Sequence, residues 1–158
     1  MSGLISVAAA GRLSRALATP PWVALLVLFS VGLILSATLS PSSEAASVGT
    51  VGSAVCDLSR LSPLRLRELV RINAGTLNVV LFVPFGVALG RLPRSPAKVM
   101  LVAGGLALPF AVEGVQLIAT QLGRACESGD VVDNLAGLLI GLVIGAVWAR
   151  AAQPGQPI

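Results

Sequence analysis

Arg124, Glu127, Asp130, Asp133 and Asn134 follow one another at intervals of three residues or fewer, with Glu113 and Gln116 shortly before them and Asn78 further upstream. Side chains of these types can bind a ligand or move a proton. Arg124 could take a phosphate or carboxylate while Glu113 and Asp130 hold it in place. The excess of acids argues against a simple anion pocket and leaves a cationic or hydroxyl-rich ligand open. Two carboxylates in unlike surroundings could also keep different pKa values and divide acid and base roles, which makes Glu113 and Asp130 the catalytic candidates. No nucleophile is singled out.

Other chemistries are excluded by composition. Histidine is absent, which removes Ser-His hydrolysis, histidine phosphatase chemistry and histidine-containing zinc sites, and two lone cysteines cannot complete a zinc site. No metal and no cofactor are expected. The net charge of +4 does not read as a nucleic-acid surface, because the bases are scattered between apolar segments and there is no tyrosine to interleave with them.

The elements that must position these residues are set by the solvent the chain prefers. Apolar residues make up 55% of it and charged residues 11%, against the usual quarter. Four stretches can cross a hydrocarbon layer, each built from about 20 mostly apolar residues. They are residues 22–39, 74–90, 97–122 and 131–149, so the expected fold class is all-α, a polytopic membrane bundle of four transmembrane helices. Residues 1–21 form an N-terminal segment, 22–150 the membrane domain and 151–158 a tail.

The first stretch could also be the core of a cleaved signal peptide. Its length favours an uncleaved helix, since signal cores run to about 7–15 residues. Residues 40–73 turn abruptly polar and read as a loop outside the membrane. Ser62 and Pro63 look like the cap and first position of a short helix whose residues 64–72 lie either in the membrane interface or in solvent. Pro84 breaks the second span, and Pro109 can kink the third.

Basic residues in short loops favour the cytoplasm. Placing both termini inside puts Arg12, Arg15, Arg91, Arg94, Lys98 and Arg150 on that side. The polar residues then gather at the extracytoplasmic rim, where acids, amides and Arg124 meet at one depth, and no comparable cluster is expected at the cytoplasmic side. A carboxylate within a span costs about 2.5–3.5 kcal/mol at a helix centre. Glu113 therefore reads either as a clamp between helices or as a ligand site, and the residues alone leave both open.

Spacing places the polar residues on shared faces. Glu113 and Gln116 lie three apart on one helix, while Asp130, Asn134, Gly137, Gly141 and Gly145 recur every three or four residues on the next. The glycine stripe, with Gly86 on the second span, suits close helix packing more than catalysis. Cys56 and Cys126 fall in outer loops under this topology, where an oxidising compartment favours a disulfide that would pin the first loop over the polar cluster.

The ordered residues resemble a known family. Asn78, Phe82, Pro84 and Gly86 spell N-x3-F-x-P-x-G, Glu113 and Gln116 spell E-x2-Q, and Arg124, Glu127, Asp130, Asn134, Gly137 and Gly141 spell R-x2-E-x2-D-x3-N-x2-G-x3-G. This set resembles the VanZ-like family of small integral membrane proteins. Glu127 stands where the family often has aspartate, and Asp133 is an addition to the pattern. The resemblance implies a membrane fold, an envelope location, importance for the matched polar residues and an association with teicoplanin resistance. It does not extend to the first loop.

The leading expectation is an envelope protein of no or undefined enzymatic activity that contacts membrane lipids and binds a lipid-linked or cell-wall group at its outer polar pocket, with a lipid-linked cell-wall precursor or a glycopeptide as the candidate partner. The ligand-contact candidates are Asn78, Glu113, Gln116, Arg124, Glu127, Asp130, Asp133 and Asn134. Alternatives are an intramembrane enzyme acting on a lipid-linked glycan or phosphate, and a structural or transport subunit.

Overall fold

The computed structural model describes residues 2–49, 51–63 and 73–152; the expected short helix over residues 64–72 lies outside them. Among the described residues 75% are helical, in six helices, and four of these are long and apolar enough to cross a membrane. The spanning helices are α2 (Pro21–Leu39), α4 (Ala74–Arg91), α5 (Pro96–Ile118) and α6 (Ser128–Ala151). Two shorter helices accompany them, α1 (Ser2–Ala16) before the first span and α3 (Ser43–Val48) after it. At about 1.5 Å per residue, the 19 residues of α2 come close to the thickness of a hydrocarbon layer.

Local chemistry fixes the ends of these helices. Pro21 opens α2, where a missing N–H costs nothing. Asn73 caps α4 by accepting from the Thr76 N–H at 2.9 Å, and Ser95 caps α5 by accepting from the Lys98 N–H at 3.1 Å. The third span is shorter than the apolar run suggests. Helix α5 stops at Ile118, and Thr120–Leu122 form a single 3-10 turn closed by Gly123 at φ 59°. Helix α6 starts at Ser128, which brings Asp130 into its first turn.

The closest pairing joins α4 and α6, which run parallel. A Cβ on Gly137, Gly141 or Gly145 would collide with the carbonyl oxygens of Val79, Val83 and Val87. One on Gly86 or Gly90 would collide with those of Leu138 and Leu142. Only glycine allows two backbones so near, and the close approach gains dispersion and Cα–H contacts that apolar lipid cannot outcompete. Phe82, Phe85 and Leu89 of α4 and Leu138 of α6 then join Val23, Val27 and Ile34 of α2 in one core. Outward apolar side chains such as Phe29, Phe110, Ile118 and Val143 are left for lipid.

The two ends of the bundle differ. At one end the loop after α2 is bound to the connection between α5 and α6. Cys56–Asp57 (β1) pairs in parallel with Cys126–Glu127 (β2), the two cysteines form a disulfide, and the Gly52 N–H donates to the Thr120 carbonyl at 2.7 Å. This is the disulfide end. At the opposite end, Leu17 turns into the core behind α1, and Trp22, Arg91 and Trp148 gather from the ends of α2, α4 and α6. The Arg91 guanidinium lies 4.7 Å from one ring centre and 4.2 Å from the other. This group is one cation held by two aromatic rings, unlike the acids and amides of the disulfide end.

Candidate functional site

The polar residues singled out by spacing gather at the disulfide end. Their partners separate those that hold helices together from those with hydrogen-bonding capacity left over. Gln116, 6% exposed on α5, donates through Nε2 to the Thr38 carbonyl at 2.8 Å. Arg124 donates through Nε to the Ser40 carbonyl at 3.2 Å and through Nη2 to the Ala37 carbonyl at 3.0 Å. The last carbonyls of a helix have no partner within it. Gln116 and Arg124 supply those partners for α2 and so fasten the first span to α5 and its following loop.

Glu113 makes a second fastening. It is 5% exposed, and its Oε2 accepts the Glu127 backbone N–H at 2.8 Å. The carboxylate thus sits at the N-terminal end of α6, where helix dipole and unpaired N–H groups favour negative charge. Its partner is the backbone of the next helix, while Arg124 is occupied at the end of α2.

The guanidinium at the start of α6 comes from the first loop, where spacing pointed to nothing. Arg60 donates Nη1 to Asp133 Oδ1 at 3.1 Å and Nη2 to Oδ2 in a forked pair. Asp133 is wholly buried, whereas the Arg60 side chain is 35% exposed. The Arg60 carbonyl also accepts from Ser128 Oγ at 2.8 Å, and its guanidinium lies against Gly129, where a Cβ would displace it. The hydrogen bonds it donates to Asp133, opposed in part by burial, hold the guanidinium above its ordinary pKa. Asp133, an addition to the sequence pattern, therefore anchors the loop.

The remaining groups lie at and near the start of α6. Asp130 is half-buried and hydrogen-bonded to Asn78 of α4. Asn134, one turn further into the bundle, is 1% exposed, and its Oδ1 has no hydrogen-bond partner. Glu127 is exposed beside the strand pair, where partial desolvation and then the charges of Asp130 and Asp57 push its carboxyl above the usual range, against the pull of Arg60. Asp57 has its pKa lowered by the Ser59 backbone N–H, 2.8 Å from Oδ1. Among the described residues, no three carboxylate or thiolate groups are placed to hold a metal ion.

Among the described residues, the rim therefore sets two engaged arginines beside a larger number of carboxylates. Arg60 could not have been found by helical spacing, because it reaches α6 across 73 residues. Its one sequence signal was its place four residues after Cys56, on a loop expected to be disulfide-bound.

Comparison with known proteins adds the family. The family model described as VanZ/LLP1 matches residues 22–149, which takes in all the helices that line this rim. No curated protein and no solved structure matches the chain.

Proposed function

Because the chain belongs to the VanZ/LLP1 family and is built as a multi-pass membrane bundle, we propose that it is a cell-envelope protein with its disulfide end outside. There it would hold the hydroxyl- or amine-bearing part of a lipid-linked or cell-wall molecule. The observation that carries this reading is the state of the rim's acceptors. Arg60 and Arg124 are occupied, while the buried Asn134 Oδ1 lacks a donor and Asp130 and Glu127 remain within reach of one. A buried acceptor without a partner costs about 1–3 kcal/mol, a cost that a hydroxyl or ammonium donor would remove. Among the described residues, a phosphate would find no free guanidinium there.

Orientation is supported from both ends. The disulfide suits an oxidising compartment. The opposite end has only bases among its described charged residues, as expected of a cytoplasmic face. An acid/base enzyme using Glu113 and Asp130 is the alternative. It draws on their unlike surroundings, since one accepts a backbone N–H deep in the bundle and the other faces an amide at its edge.

The test replaces Asp130 by Asn and Glu113 by Gln in a deletion strain, with membrane abundance measured beside sensitivity to teicoplanin and to envelope stress. Asp130→Asn is expected to keep its abundance and lose the phenotype of the parent. Full function at normal abundance would remove the binding site from the account. Loss of abundance would make Asp130 structural. Conversion of a lipid-linked cell-wall precursor by purified protein, abolished by both substitutions, would replace binding with catalysis.

A further inference from the structure

The opposite end of the bundle presents a cation whose counter-charge the described chain does not supply. Arg91 closes α4 and lies over both Trp22 and Trp148, whose ring centres are 5.7 Å apart. The rings attract the charge of the guanidinium but offer its N–H groups no oxygen acceptor. Nε and Nη1 are closed off from solvent and have no hydrogen-bond partner. Nη2 is the one nitrogen of the three not closed off in this way.

Neighbouring residues increase the demand for negative charge. Arg12, Arg15, Arg94 and Arg150 are exposed around this end, and Lys98 already donates to the Gly90 and Leu92 carbonyls at 3.0 and 2.9 Å. The described carboxylates lie at the other end. Both tryptophans are also partly exposed, Trp22 at 42% and Trp148 at 51%. Indole rings at the ends of spanning helices lie at the depth of lipid head groups.

We propose that Trp22, Arg91 and Trp148 form a binding site for the phosphate of an anionic phospholipid in the leaflet around this end. A phosphate would meet the guanidinium at Nη2, the nitrogen left open, in a charge-assisted hydrogen bond. The indoles fix the guanidinium plane and lie beside the lipid glycerol region. This site is separate from the polar rim and holds whether or not the rim binds a ligand.

Both tryptophans of the chain belong to the site, so intrinsic fluorescence reports on it without a label. Detergent-solubilised full-length protein is titrated with phosphatidylglycerol, with phosphatidylcholine and with sodium phosphate. The expected result is a saturable emission change with phosphatidylglycerol alone. Arg91→Leu should weaken that response by about tenfold or more, as for loss of a charge-assisted hydrogen bond, while Arg150→Gln keeps it. An equal response to phosphatidylcholine would overturn the proposal, as would a response to sodium phosphate alone or an undiminished response in Arg91→Leu. If Arg91→Leu does not accumulate, Arg91→Lys keeps the charge without the planar fork. A weakened response then supports the site, and a full response overturns it.

Discussion

The two ends of this bundle handle charge in opposite ways. At the disulfide end, buried acids and amides from separate helices are paired with one another, with backbone groups or with the strapped first loop. At the tryptophan end, a lone guanidinium is placed on two rings and its hydrogen bonds are left unmade. The contrast teaches that charge near a membrane can serve as internal fastening where partners come from the chain. It becomes a contact for outside molecules where they do not. The acceptors left over at the disulfide end, above all Asn134 Oδ1, are the exception that gives that end a proposed ligand.

The largest expected effect would disturb both ends together. Gly141→Leu puts a side chain where the Val83 carbonyl now lies, and overpacking of this kind typically costs about 1–3 kcal/mol, more where neither backbone can yield. Membrane abundance and thermal stability in detergent should both collapse. Normal abundance would show that the α4–α6 seam is not the frame on which both ends are built.

Next comes a direct contrast between two arginines. Arg60→Leu removes the forked ion pair that ties the first loop to the buried Asp133 and should cost on the order of 3 kcal/mol. Arg91→Leu leaves no buried charge behind and should cost only about 1 kcal/mol of cation–π attraction. Restoring much of the loss in the double variant Arg60→Leu, Asp133→Leu would sharpen the contrast. Equal losses for the two single variants would break it.

The disulfide closes a loop of 70 residues, for which free-chain entropy gives about 4 kcal/mol. Helices already inserted in a membrane constrain that loop, so Cys56→Ser with Cys126→Ser should cost nearer about 2 kcal/mol. The damage should be confined to the first loop, read as faster proteolysis there with the bundle intact. Global unfolding would mean that the strap holds the whole protein.

The smallest effect concerns pH. The Glu127 carboxyl is raised in the folded protein, so its contribution to stability is complete below its unfolded value and is lost as pH rises through the raised folded value. Proteolysis of the first loop should be slower at the acid side of that window, and Glu127→Gln should flatten the difference. An unchanged profile in Glu127→Gln would assign the pH dependence to other groups.

Much of the frame could be read from the chain. The four apolar runs, the helical spacing of Gly137, Gly141 and Gly145, and the two lone cysteines each depend on local pattern, and local pattern is what a sequence displays. What could not be read was which donor meets which acceptor. Arg124 lay closest in sequence to the acids yet turns to the end of α2, because helix ends need donors for their last carbonyls. Arg60 reaches Asp133 because the strand pair and disulfide carry its loop there. The Trp22, Arg91 and Trp148 group draws single residues from three helices, with no repeat or spacing to reveal it.

The central claim is that the two ends serve different compartments, with the strapped end outside. Labelling of Cys56 and Cys126 in intact cells with a membrane-impermeant maleimide tests it most directly. The account predicts no labelling without reductant and labelling of both cysteines from outside once an impermeant reductant is added. Labelling without reductant, or only after the membrane is opened, would contradict it.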